Sequence, residues 1–198
     1  MKVIPERVEK VIRPHLSPIP QMVLDNLQLL KSQAIRLETI VTGLNEIAGL
    51  QRGMDKPCTL LQGFAAFDDP PPNLRMQIRA EAAQMEVEHL SLVIRHLVDH
   101  AYVHAQAADL SAMMLIGQTA SDFFIAARDY GPGVAEEYRS RIFDPLYTLK
   151  SQDELKASGM GLAVIKRIAE LYNGKCNALP KQDTTGTTFV LTIPCPAI

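Results

Sequence analysis

Residues 128–164 read RDYGPGVAEEYRSRIFDPLYTLKSQDELKASGMGLAV, and this stretch has a glycine-rich turn at each end. In the first turn, Asp129–Gly133, two glycines allow the backbone to bend sharply and to approach a ligand closely. In the second, Ser158–Gly161, glycines open an apolar helical run, and N–H groups at a helix start attract phosphate. Each turn alone is also typical of an ordinary loop. Their combination indicates a ligand site.

Short apolar runs on both sides of this stretch predict the rest of the domain. They predict, in order, a strand, a helix, a hairpin, a helix and a second hairpin: Leu74–Ile78, Val87–Ala105, Ala112–Ile116 with Phe123–Ala127, Leu162–Leu171, and Cys176–Leu179 with Thr187–Ile193. This order predicts an α/β sandwich, in which one helical layer covers a mixed sheet.

A long helix without proline is predicted ahead of this domain. Its apolar residues recur at alternating steps of four and three, the heptad seam of packed helices: Val23, Leu27, Leu30, Ala34, Leu37, Val41, Leu44 and Ala48. At about 1.5 Å per residue this helix is about 45 Å long, more than one small domain covers. We therefore expect a homodimer through Val23–Ala48; burial of the helix by its own chain is the alternative.

Three regions follow from these patterns. Residues 1–53 are predicted to be a helical dimerisation stem, and residues 54–73, which include three successive prolines, a linker. Residues 74–198 are predicted to form the α/β domain.

Four motifs, taken in order, resemble those of the ATPase family that groups gyrase, ninety-kilodalton heat-shock chaperones, MutL and sensor histidine kinases. The kinases of two-component systems match best. Asp129–Val134 is similar to their first glycine box, Arg141–Tyr147 to their phenylalanine box and Ser158–Val164 to their second glycine box. Thr185–Phe189 resembles their closing Gly-Thr-Thr-Phe strand. The resemblance covers about residues 74–194 and implies the Bergerat-type fold of this family.

The resemblance also implies an ATP site. Asp129 would bind the adenine amino group, Gly131 and Gly133 would line the base pocket, and Gly159 and Gly161 would contact the phosphates. Four further residues are assigned to the same cofactor site: Leu162, Thr188, His96 and His100. Residues 149–157 correspond to the lid over the nucleotide.

The helix that should carry the family's asparagine box departs from the pattern. His100 replaces the asparagine that would coordinate magnesium, and Val103 replaces a lysine near the phosphates. Magnesium prefers oxygen ligands, so magnesium binding is doubtful. Three interpretations stay open: His100 contacts phosphate directly, the site is inactive, or His96, His100 and His104 share a transition metal.

The phosphoacceptor motif is also incomplete. His15 and a proline, Pro20, agree with the kinase pattern, but Leu16 replaces the acidic neighbour that would accept a proton from imidazole. His15 is the candidate phosphoacceptor.

Composition excludes several other classes of protein. The formal net charge of −2 does not favour nucleic-acid binding, and three widely spaced cysteines imply no disulfide framework or metal site. No signal-type segment or run of membrane-spanning length occurs in the sequence, so a cytoplasmic location is expected.

The predicted function is therefore that of a dimeric two-component signalling protein of the histidine-kinase class. Its expected partner is the receiver domain of a response regulator. The alternative is a non-catalytic docking or phosphotransfer module. An ATPase of the chaperone or gyrase type is disfavoured, because His96 occupies the place of its glutamate base.

Overall fold

The computed structural model describes residues 20–51, 58–59, 74–83, 85–107, 112–149, 158–180 and 186–195. Within these ranges, three helices and seven strands follow in chain order: α1 (Gln21–Gly49), β1 (Cys58–Thr59), β2 (Leu74–Arg79), β3 (Ala82–Ala83), α2 (Val87–Ala107), β4 (Ala112–Gln118), β5 (Asp122–Arg128), α3 (Gly161–Leu171), β6 (Lys175–Pro180) and β7 (Thr187–Pro194). Two short 3₁₀ turns, Glu136–Tyr138 and Arg141–Phe143, lie between β5 and α3.

Five strands form a mixed sheet in the order β2-β4-β5-β7-β6. β2 runs parallel to β4, and the other neighbouring pairs are antiparallel. β1 and β3 form a separate two-stranded antiparallel ladder, so part of the predicted linker pairs with the start of the α/β domain. The α/β sandwich with a mixed sheet is confirmed.

Two helices, α2 and α3, pack against each other and against one face of the sheet. Burial alternates along β5 and β7, as expected when one face of a sheet meets helices. The largest fully buried side chains come from both layers: Leu90, Ile94, Leu97, Ile116, Phe123, Ile125, Ile165, Ile168, Phe189 and Leu191. Both glycine turns therefore belong to elements joined by one core.

Helix α3 ends as its sequence predicts. Asn173 adopts a left-handed conformation with φ of 54°, and the Gly174 N–H donates to the Ala169 carbonyl at 2.8 Å. This hydrogen bond satisfies a carbonyl in the last helical turn. The other predicted elements agree with the structure to within two residues at each end, with α2 extending to Ala107.

Helix α1 uses two different faces. Gly43 is buried and Ile47 packs against the core, while five of the eight seam residues are exposed. Four seam residues are among the exposed large apolar side chains: Leu30, Leu37, Val41 and Leu44. The homodimer through this seam stays a prediction.

Candidate functional site

The carboxylate of Asp129 is fixed where β5 ends beside the start of β7. Its side chain is only 3% exposed. The Thr187 N–H donates to Asp129 Oδ1 at 2.7 Å, and the Gly131 N–H donates to the same oxygen at 3.3 Å. In return, the Asp129 N–H donates to the Thr187 carbonyl at 3.0 Å. Both described hydrogen bonds of this carboxylate therefore fall on one oxygen, Oδ1.

Two glycines close the backbone around this carboxylate. Gly186 has a φ of +114°, and a Cβ at this position would lie 2.5 Å from the Asp129 carbonyl oxygen. Gly133 has a φ of +86°, and a Cβ here would lie 3.5 Å from the Gly186 carbonyl oxygen, an ordinary contact distance. The first glycine turn and the entry to β7 thus lie side by side.

Thr187 is a site residue that the sequence reasoning missed. Its side chain is 1% exposed and, among the described residues, Thr187 Oγ1 has no hydrogen-bond partner. Thr188, the predicted residue, alternates to the other face of the sheet and is half-buried. The pairing of Arg128 with Thr188 places Thr187 beside Asp129. Large apolar residues recur at every second position along β7, and this alternation is the sequence signal that favours Thr187 over Thr188 as the residue facing the site.

The second glycine turn packs against the phenylalanine-box segment. Gly159 has a φ of +71°, and a Cβ there would lie 2.6 Å from the Tyr147 carbonyl oxygen. The Leu146 N–H donates to the Gly159 carbonyl at 3.1 Å. The guanidinium of Arg141 lies over the Tyr147 ring at 4.7 Å. Two motifs that are separate in the sequence therefore form one surface.

Gly161 opens α3 without a side-chain cap at its start. The N–H groups of its first turn are therefore suited to receive an anion. Leu162 is 9% exposed and belongs to the hydrophobic core, so only its backbone can serve at the helix start.

His96 on α2 reaches this helix start. A Cβ at Gly161 would lie 3.2 Å from His96 Nδ1. On the other ring edge, His96 Nε2 lies 2.9 Å from Glu46 Oε2 of α1. Burial lowers the pKa of His96 below its ordinary value of 6.5, although Glu46 acts in the opposite direction. The imidazole is therefore predominantly neutral near pH 7.

His100 lies one turn further along α2, over the sheet. Its ring packs against Phe189 with centroids 4.4 Å apart and an interplanar angle of 57°. Phe189 follows Thr187 on the same face of β7, so His100 is directed to the Asp129 side of the domain. The two histidines thus lie over the two ends of the predicted nucleotide site.

The residues present do not fit a magnesium ion at His100. Imidazole nitrogen is a poor ligand for this hard cation. In the described part of the chain no group of three His, Cys, Asp or Glu side chains is placed to hold a metal. The side chain of His104 lies outside the described residues, as do His15 and most of the lid segment.

His89 is a buried residue near the start of α2. It is 5% exposed, and its Nδ1 lies 2.8 Å from the Tyr172 hydroxyl. The same hydroxyl accepts the Glu86 N–H at 3.0 Å. This pair joins the start of α2 to the end of α3, because one phenol satisfies both partners.

The match with known proteins agrees with this arrangement. Residues 85–197 match the family described as "Histidine kinase-, DNA gyrase B-, and HSP90-like ATPase". The match covers more than half of the chain, so the protein belongs to this family, with a domain of the histidine-kinase type. In the described residues no helix has both the length and the apolar character that a membrane span requires.

Two curated relatives are sensor kinases. Adaptive-response sensory kinase SasA of Prochlorococcus marinus is 30% identical over 136 residues, which are 68% of this chain and 34% of that protein. Swarming motility regulation sensor protein RssA of Serratia marcescens is 28% identical over 105 residues, which are 53% of this chain and 22% of that protein. The chain thus spans about a third or less of the length of these relatives.

Two solved structures share the fold. The mycobacterial sensor histidine kinase MprB has a TM-score of 0.57 at 14% identity, with 71% of this chain and 97% of that chain covered. Full-length ShkA in complex with AMPPNP has a TM-score of 0.59 at 16% identity, with 86% of this chain and 38% of that chain covered. At these identities the likeness concerns the fold alone.

Proposed function

We propose that this protein binds a purine nucleotide, with the base at Asp129 and the phosphates at the start of α3. The observation that carries the proposal is the buried Asp129 carboxylate beside Thr187 Oγ1, which has no hydrogen-bond partner in the part of the chain that the structure describes. A buried hydroxyl without a partner costs free energy, so a ligand atom that satisfies it is favoured. An adenine amino group donates to a carboxylate, and ATP is therefore the expected ligand.

The phosphate end supports binding with little or no magnesium. The uncapped start of α3 supplies N–H donors to phosphate. His100 offers no oxygen ligand to magnesium, so binding of phosphate through the backbone N–H groups of α3 without the metal is favoured. When bound, ATP would supply the γ-phosphoryl group. The role of His15 as its acceptor remains a prediction.

Dimerisation through Val23–Ala48 completes the proposal. The seam side chains at Leu30, Leu37 and Val41 are 63%, 57% and 55% exposed. Such a row of apolar side chains on one helix is stabilised by a second copy of the same seam. A stem at residues 1–53, a linker at 54–73 and a catalytic-type domain at 74–198 then match a histidine-kinase subunit, whose partner is a receiver domain.

A non-catalytic module for docking or phosphotransfer to a response regulator is the second candidate. The observation in its favour is His100, which packs on Phe189 where the resemblance places a magnesium ligand. In that case the fold survives as a surface for the receiver domain.

Calorimetric titration separates the two functions. Adenosine and ATP are titrated into the wild-type protein and into Asp129→Asn, with and without magnesium, and Glu136→Gln, an exposed residue, is the control. We expect adenosine binding that Asp129→Asn weakens by about tenfold or more, since one charge-assisted hydrogen bond is lost. ATP binding by the wild-type protein favours the kinase, and binding that does not need magnesium is the result expected with His100 in this place. No binding of either ligand at millimolar concentration leaves the docking module.

A further inference from the structure

The C-terminal half of α1 packs directly against the start of α3. Gly43 is the buried residue of α1, and a Cβ there would lie 2.6 Å from the Cβ of Met160. Met160 stands between Gly159 and Gly161, so the stem helix touches the segment that we assign to the phosphates. Ile47 packs against the core, one turn later.

Glu46 enters a cluster of basic side chains beside the same segment. Its Oε2 lies 2.9 Å from His96 Nε2, and its Oε1 accepts a hydrogen bond from the Arg95 guanidinium. The Glu46 side chain is only 14% exposed. Since His96 Nδ1 lies against Gly161, the contacts run without interruption from α1 to the helix start.

A carboxylate in this place opposes a second anion. His96 lies against the start of α3, Arg95 precedes it on α2, and Glu46 engages both. When Nε2 donates to Glu46, a neutral ring keeps a lone pair on Nδ1, and this lone pair faces Gly161. A phosphate that approaches α3 would meet two sources of negative potential and no N–H donor on that ring edge.

We propose that Glu46 is a built-in anion that closes the phosphate end of the site, so that docking of α1 and binding of polyphosphate exclude each other. The location of the phosphates rests on the proposed function. Departure of α1 releases Arg95 and His96 for phosphate, and the position of the stem is thereby coupled to ligand binding. Linkage requires the reverse as well, so bound polyphosphate favours the undocked stem.

The test compares ATP, inorganic tripolyphosphate and adenosine in the full chain by calorimetry. Glu46→Gln removes the charge and keeps the side-chain shape, and Glu38→Gln on the exposed side of α1 is its matched control. Gly43→Leu forces α1 away from Met160 without touching the charge. Gly49→Leu is its control, because a Cβ at Gly49 has nothing within 4 Å.

We expect Glu46→Gln and Gly43→Leu to tighten ATP and tripolyphosphate binding by about tenfold or more, with adenosine affinity unchanged. Amide exchange in residues 40–49 should accelerate when ATP saturates the wild-type protein. Unchanged tripolyphosphate affinity in both variants, each with a circular dichroism spectrum like that of the wild type, would overturn the proposal. Glu46→Gln could tighten tripolyphosphate binding while neither the wild type nor any variant binds adenosine. This result would contradict the purine site and support the closure by Glu46.

Discussion

Four glycine-to-alanine substitutions should rank in an order that the backbone geometry sets. Gly159 combines a φ of +71° with a Cβ position 2.6 Å from the Tyr147 carbonyl oxygen. Gly186 combines a φ of +114° with a Cβ position 2.5 Å from the Asp129 carbonyl oxygen. Gly133 has a φ of +86° but its nearest contact is 3.5 Å away. Gly49 lies at the end of α1 with open space around it.

The expected changes in the free energy of unfolding follow from two costs. A left-handed backbone costs a residue with a Cβ about 1–2 kcal/mol, and a clash in a packed interior costs about 1–3 kcal/mol. Gly133→Ala should lower the free energy of unfolding by the first cost alone. Gly159→Ala and Gly186→Ala incur both costs, so each should lower it by about 2–5 kcal/mol. Gly49→Ala should stabilise the helix by about 0.5–1 kcal/mol.

Urea unfolding followed by circular dichroism measures these differences, and each 1 kcal/mol also shifts the melting temperature by about 2–4 °C. Equal losses at Gly133 and Gly159, or a clear loss at Gly49, would refute the reasoning. Equal losses at Gly133 and Gly159 would mean that the phenylalanine-box segment does not pack on the second glycine turn.

Three further predictions concern individual side chains. Because burial lowers the pKa of His96, its contribution to stability is complete above pH 6.5 and falls as pH drops through the folded pKa. In urea unfolding, the free energy of unfolding of the wild type should therefore exceed that of His96→Asn by more at pH about 7.5 than at pH about 5.5. A difference that does not change with pH contradicts this prediction. His100→Asn should make ATP affinity dependent on magnesium in calorimetry, as an amide oxygen becomes available; an unchanged affinity counts against the pocket. Leu37→Asp should convert the dimer to monomer in sedimentation equilibrium, because burial of this exposed leucine in a dimer contributes about 1.5–3 kcal/mol. The control Glu38→Gln should leave the dimer intact. A wild-type protein that sediments as a monomer would contradict dimerisation through the seam.

Local signals in the sequence predict most of the elements. Gly161 and the pair Asn173–Gly174 mark both ends of α3, because a glycine-relieved start and a left-handed residue at the end are local requirements. The turn between β4 and β5 is similarly local, and the antiparallel hairpin forms where the apolar runs predict it. The order of the four motifs also identifies the fold, because each motif supplies a different part of the same site.

Contacts between distant segments could not be read from the sequence. Glu46 and His96 are 50 positions apart, and nothing in either neighbourhood indicates that they meet. His89 looks like a polar residue on a helix, and only the approach of Tyr172 from the end of α3 explains its burial. Thr187 rather than Thr188 faces Asp129 because the register of β7 against β5 decides which side each threonine takes. These features depend on tertiary packing, which local propensity does not encode.

The most direct test of the nucleotide site is an amide chemical-shift titration of isotope-labelled protein with adenosine. The account predicts saturable shifts at Gly131 and Thr187, whose backbone N–H groups donate to the Asp129 carboxylate, and at Gly133 of the same turn. It predicts no comparable shifts in the N-terminal half of α1. Saturable shifts confined to other parts of the domain, or none at these three amides, would contradict it.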